Sequence, residues 1–211
     1  MIYKVDLPPP HPGIIKYCLE NILGTHLDWA YTWHDQFIAP HIPAGTTPVS
    51  SYIHPFLPES LVFKQINIQY KTYFSKPVRP AIVMFTNNST DHKFASLVPH
   101  CDKNRTFSIN YIIEQGGAEV TTSFYREGRE NPDLSVAEFG YPNQLTLENV
   151  YVCPKNSWSM LNVQQYHGVD NIESTRIVFM LMSLDNFDRS VEEIYKELEH
   201  LTTPLEPINK D

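Results

Sequence analysis

Between Leu61 and Leu184 the chain is a succession of short apolar segments broken by turn-forming residues, and this layout restricts the fold more than any other feature. The segments are Leu61–Tyr70, Ala81–Thr86, Phe94–Val98, Thr106–Ile113, Ala118–Tyr125, Leu145–Val152, Ser157–Val163 and Arg176–Leu184. Aromatic and β-branched side chains dominate them, and these suit a pleated, half-buried surface. No helical spacing lies between them, so the pattern predicts an all-β sandwich or barrel rather than βαβ units. Glu114-Gln115-Gly116-Gly117 reads as the turn of a hairpin joining two of the strands.

The two ends read differently. Ile14, Ile15, Cys18, Leu19, Ile22 and Leu23 recur at helical spacing with Gly24 as a stop, which predicts a helix over 13–24. Val191, Ile194, Tyr195, Leu198 and Leu201 form one stripe of a second helix, and Ser190 with Glu193 matches a capping box. Pro40, Pro43, Pro48, Pro55 and Pro58 make residues 38–58 irregular, as either a substrate-side lid or a passive arm. The sequence therefore predicts one domain over 1–211. It has a helical and loop extension over 1–59, a β core over about 60–185 and a C-terminal helix over 187–202. About eight strands between terminal helices is the count of a double-sheet jelly roll.

Composition narrows the function. Twenty-four acidic against 16 basic residues give a net charge of −8 with no basic run, which is ill suited to neutralising phosphates. That disfavours a nucleic-acid partner and gives no support for binding an anionic membrane. Cys18, Cys101 and Cys153 are an odd set, too sparse for a disulfide framework. Met1–Pro12 lacks the apolar core of a signal peptide, and no apolar stretch is long enough to span a membrane. The expectation is a reducing, cytoplasmic setting and a small-molecule or peptide partner, with oligomeric state unreadable.

The chemistry concentrates in Val98-Pro99-His100-Cys101-Asp102. In extended backbone, residues two apart share a face, so His100 and Asp102 project together while Cys101 points away as an inert small side chain. An imidazole and a carboxylate converging at a strand end make two thirds of a facial metal site that leaves positions open for ligands. The candidate for the third donor is His167, in Tyr166-His167-Gly168-Val169-Asp170, placed between two predicted strands. Two nitrogens and one carboxylate suit Fe(II), and zinc is chemically possible too. Nine residues after His167, Arg176 opens the apolar run Ile177–Met182. An arginine entering a buried strand needs an anion, and its planar fork fits a carboxylate. Asp170 is a candidate partner for His167 or Arg176, and Arg105 for Asp102 or a substrate anion. His34 and Asp35 fall on a possible short helix after Trp29 and Trp33, with a solvated face as the default.

His100-Cys101-Asp102, the distal His167 and the following Arg176 together resemble the Fe(II)/2-oxoglutarate-dependent oxygenases, whose pattern is His-x-Asp, a distal His and a basic residue about ten positions on. Arg105–Tyr111 with Gly116-Gly117, and Trp158–Asn162, also look like that family's flanking strands, over roughly residues 60–185. The resemblance implies a double-stranded β-helix, the cupin-like jelly roll, flanked by N- and C-terminal helices. It implies Fe(II) held by His100, Asp102 and His167, with 2-oxoglutarate anchored by Arg176 and O2 as co-oxidant. It implies hydroxylation of an aliphatic C–H in an amino acid, peptide or small metabolite. One position departs from the pattern. Many members carry Ser or Thr two residues after the arginine, where this chain has Val178. A second donor to the cosubstrate is then sought among Ser108, Asn110, Tyr111 and Tyr125. Two other classes fit the same residues. A cupin-like zinc or iron enzyme without 2-oxoglutarate would have Arg176 facing away from the metal. A metal-free β-sandwich binding protein would hold His100, Asp102 and His167 apart.

Overall fold

The structure is a computed structural model, and it describes residues 2–21, 30–31, 47–75, 77–102, 107–127, 145–183 and 191–208. In chain order the elements are β1 (Ile2–Val5), α1 (Pro12–Asn21), β2 (Ala30–Tyr31), β3 (Thr47–Pro48), β4 (Ser50–Pro55), α2 (Leu61–Tyr70) and β5 (Val78–Thr86). There follow β6 (Ala95–His100), β7 (Phe107–Gln115), β8 (Thr121–Glu127), β9 (Leu145–Tyr151), β10 (Trp158–Asn162), β11 (His167–Ile172) and β12 (Arg176–Ser183). The chain ends in α3 (Val191–Leu198), a 3-10 turn over Glu199–Leu201 and β13 (Thr202–Pro204).

Two sheets face each other, with strand orders β13-β1-β10-β7-β12-β5-β4-β2 and β3-β6-β11-β8-β9. Their logic is a long ribbon folded on itself. β8 pairs with β9, β7 with β10, β6 with β11 and β5 with β12, all antiparallel. Winding that ribbon brings β12 against β7 and β11 against β8. This is a double-stranded β-helix, a two-sheet jelly roll with two Greek keys.

Eight strands build the core, but one differs from the sequence expectation. Leu61–Tyr70, predicted as a strand, is helix α2. Its buried residues are Phe63, Ile66 and Tyr70, spaced three and four apart, while Ile68 is 65% exposed. The apparent alternation at Ile66, Ile68 and Tyr70 hid a helical face. Ser60 caps the helix, its hydroxyl accepting from the Phe63 N–H at 3.2 Å. The strand that takes its place is β11, whose sequence HGVDNI carries Gly, Asp and Asn and so falls between two predicted strands. The N-terminal extension is also richer than predicted. β1 and β4 widen the large sheet and β3 runs parallel to β6. α1 matches the first predicted helix as far as Asn21, and β13 extends the tail back to β1. Residues 22–24, Ser190 of the capping box, Trp29, Trp33, His34, Asp35, Arg105 and positions 128–144 lie outside the described residues.

Strand alternation divides the interior. On β12, Ile177, Phe179 and Leu181 face the helices, in a core with Ile14 and Cys18 of α1, Ile66 and Tyr70 of α2 and Leu198 of α3. Val178 and Met180 face the other sheet, among Val83, Ile112, Phe124 and Leu161. The helices thus cover one face of the large sheet. The space between the sheets is left to the site.

Candidate metal centre

The β6–β11 pairing sets His167 directly opposite His100. Their ring centroids are 4.4 Å apart and both side chains are buried. Gly168 allows the approach, because a Cβ there would lie 2.8 Å from the Leu97 carbonyl oxygen on β6. Asp102 follows two residues after the last residue of β6, and its backbone N–H donates to the Val163 carbonyl at 2.8 Å. One donor atom from each of His100, Asp102 and His167 lies within 4.8 Å of the other two. Among the described residues this is the one cluster of three or more such groups.

The protein also orients the imidazoles. His100 Nδ1 bonds the Val98 carbonyl and His167 Nδ1 bonds the Gln165 carbonyl, each at 2.9 Å. A carbonyl only accepts, so Nδ1 carries a proton in both rings, and Nε2 is the ring nitrogen that could serve a metal. Phe124 stacks on the His167 ring at 6.1 Å and fixes its plane. Two imidazoles and a carboxylate so arranged fit a divalent ion of borderline softness. Donors at right angles on one such ion, each about 2.1 Å from it, stand about 3 Å apart, so occupancy would draw these groups together by up to about 2 Å.

Arg176 shares this cavity with His100, Asp102 and His167. It is 3% exposed. Its Nη1 donates to the Gln115 carbonyl at 3.1 Å, while Nε has no partner. Among the described residues no carboxylate pairs with it. Burial pushes the guanidinium below its ordinary pKa, opposed by the nearby Cys153. Burying a cation without a counter-charge is costly, and an anion in this cavity would offset that cost. Its volume is about 100 Å³. At about 10–15 Å³ for each water, that is room for a molecule of several heavy atoms. Gly116 lets β7 pass the arginine, since a Cβ there would fall 2.7 Å from the Arg176 Cβ.

The remaining candidates divide by strand parity. Ser108 and Asn110 line the cavity and hydrogen-bond each other. Tyr111, between Asn110 and Ile112, faces the helices instead and packs on Trp158 with centroids 5.2 Å apart. Tyr125 does not line the cavity either. Burial and the neighbouring Asp170 push its hydroxyl pKa up to about 12. Asp170 accepts from the Ser123 hydroxyl at 2.8 Å, so its observed partner is neither His167 nor Arg176. Four further residues with a hydroxyl or thiol, which the sequence reading does not place at the site, also line the cavity: Ser51, Thr122, Cys153 and Ser159. Thr122 and Ser159 fall on predicted strands with the right parity, which was the available signal. Gly168 and Gly116 carried no signal of their contacts.

No protein-family model matches the sequence, and no curated protein sequence matches it. Solved structures do. The chain is similar to SnoN, a non-heme alpha-ketoglutarate-dependent epimerase from nogalamycin biosynthesis, at 9% identity over 87% of this chain and 75% of that one, TM-score 0.47. It is similar to a Pseudomonas putida prolyl-4-hydroxylase at 10% identity over 86% and 91% of the two chains, TM-score 0.42. It is also similar to HygX from Streptomyces hygroscopicus, solved with nickel and 2-oxoglutarate bound, at 11% identity over 85% and 81%, TM-score 0.40.

Proposed function

We propose that the protein is an Fe(II)- and 2-oxoglutarate-dependent oxygenase that hydroxylates an aliphatic C–H of an amino acid, peptide or small metabolite. The observation that carries this reading is the pairing, in one cavity, of a His–Asp–His cluster with a buried arginine that has no carboxylate partner among the described residues. Neither half suffices alone. The cluster would serve zinc hydrolysis as well, and Arg176 inside the same cavity is what favours a carboxylate cosubstrate. A metal-free binding protein has no reason to turn two Nε2 atoms and a carboxylate toward one point.

Charge balance favours a dicarboxylate. A divalent ion on one carboxylate and two neutral imidazoles leaves one net positive charge. Arg176 adds another within the same low-dielectric space. A dianion of about ten heavy atoms neutralises both. In this reading His100, Asp102 and His167 hold the iron on one face, and Arg176 holds the far carboxylate of 2-oxoglutarate. When bound, iron with 2-oxoglutarate and dioxygen supplies an oxidation strong enough for an unactivated C–H, releasing succinate and carbon dioxide.

The protein's share is binding, orientation and dryness. The Val98 and Gln165 carbonyls keep both imidazoles in the ligating tautomer. Val83, Ile112, Leu161, Val163, Val178 and Met180 line the cavity with apolar surface, which excludes water from the reacting groups. The acidic net charge of −8 weighs against a nucleic-acid substrate. Among the described residues no helix is long and apolar enough to cross a membrane.

The test is anaerobic titration of the protein with Fe(II) and then 2-oxoglutarate, followed by the visible charge-transfer absorption of the iron–cosubstrate pair. The reading expects a saturable band that His167→Ala abolishes. A wild-type protein that takes up iron and gives no band would remove 2-oxoglutarate from the function.

A further inference from the structure

A carboxylate seated against Arg176 keeps lone pairs that one guanidinium does not satisfy, so a second donor is needed at that end of the cavity. Val178, two residues on and facing the same space, has none to give. Ser108, Asn110 and Ser159 are at the wrong level. In the strand register Asn110 stands opposite Met180 and Ser159, and Ser108 opposite Met182. Met180 is four residues from Arg176, roughly 13 Å at about 3.3 Å per residue. Ser51 stands in the row of Arg176 but beyond Phe85, two strand spacings or about 9–10 Å away.

Thr122 remains, reaching in from the facing sheet. It pairs with Val169 on β11, one inward step beyond the His167–Phe124 pair, and is 3% exposed. Among the described residues its hydroxyl meets the Cys153 sulfur, at 3.8 Å, a weak partner that an anion would displace. Thr122, Cys153 and Arg176 all line this one cavity.

We propose that Thr122 is a cosubstrate-positioning residue: its hydroxyl donates to the same distal carboxylate that Arg176 anchors, replacing the donor that Val178 cannot supply. This rests on the oxygenase reading above and adds to it how this chain closes the carboxylate site from the opposite sheet. A hydroxyl bond to a charged acceptor sets the expected effect at about tenfold or more in affinity.

The experiment measures binding, not turnover. Anaerobic calorimetry gives the Fe(II) affinity of wild type, Thr122→Val, Thr122→Ser and Arg176→Ala, and then the 2-oxoglutarate affinity of each iron-loaded protein. Thr122→Val, nearly isosteric, should weaken 2-oxoglutarate by about tenfold or more and leave Fe(II) binding within twofold of wild type. Thr122→Ser should restore the cosubstrate affinity. The proposal is overturned if Thr122→Val binds 2-oxoglutarate as wild type does, if iron affinity falls in parallel, or if serine fails to restore. Loss in Arg176→Ala without loss in Thr122→Val keeps the oxygenase reading and discards Thr122. A wild-type protein that binds iron but no 2-oxoglutarate discards both.

Discussion

His167 lies directly across the β6–β11 pair from His100, and the next residue is a glycine whose missing side chain lets the two strands close. The candidate metal centre is thereby a product of strand register. Gly168→Ala places a methyl 2.8 Å from the Leu97 carbonyl oxygen, a backbone atom that cannot swing aside. The strands must part, at an expected cost of about 1–3 kcal/mol. The same movement separates the two imidazoles. A thermal melt should show the lost stability, and calorimetry with Fe(II) a parallel loss of metal affinity. Unchanged metal binding in a destabilised variant would mean that the register does not set the site.

Replacing any one of His100, Asp102 and His167 by alanine should weaken Fe(II) binding by more than about a hundredfold. Even partners that only orient ligands cost tenfold to a hundredfold when removed. Asp102→Asn is the sharper variant, because it keeps the shape of the side chain and deletes the charge that offsets the ion. Equilibrium dialysis under anaerobic conditions measures each. A variant that retains wild-type affinity is not missing a ligand.

Arg176→Met separates stability from binding. The guanidinium is buried and unpaired at Nε, so the ligand-free protein bears a desolvation cost that an apolar side chain of similar length removes. The variant should be as stable as wild type, or more stable by about 1 kcal/mol, in urea unfolding without ligand. It should also lose the stabilisation that 2-oxoglutarate gives the iron-loaded wild type. Marked destabilisation of the ligand-free variant would instead make Arg176 a structural cation.

Much of this site is legible in the residues. The spacing of His100 and Asp102 reads directly as a shared strand face, and the apolar run after Arg176 reads as burial. Parity alone also separates Ser108 and Asn110 from Tyr111, which belongs with Trp158 on the helix side. What the residues hide is β11. Gly168, Asp170 and Asn171 look like a turn, yet Gly168 is there for close strand packing and Asp170 turns outward to Ser123. The helix at Leu61–Tyr70 was hidden for the opposite reason, since its apolar content imitates a strand until Ile68 is found exposed. Thr122 and Cys153 line the cavity that also holds Arg176, a juxtaposition across the sandwich that strand patterns do not encode.

Alkaline pH should unfold the protein through groups in the helix-side core. Cys18 is fully buried, and desolvation pushes its thiol pKa up to about 12. Tyr70, also buried, is shifted upward for the same reason. Both are held protonated in the folded state, whereas the unfolded chain ionises a thiol near about 8.5 and a phenol near about 10. The folded pKa is the higher one in each case. Their contribution is thus complete below pH of about 8 and is lost progressively as pH rises toward the folded values. Urea midpoints measured at pH 7, 9 and 10.5 should fall, and Cys18→Ala should flatten the first part of that fall. Ellman's reagent gives an independent check, because Cys18 should stay unreactive in the native protein at pH 8 and react only as the protein unfolds. Rapid native labelling of Cys18 would show that the face between α1 and the large sheet opens on the labelling timescale.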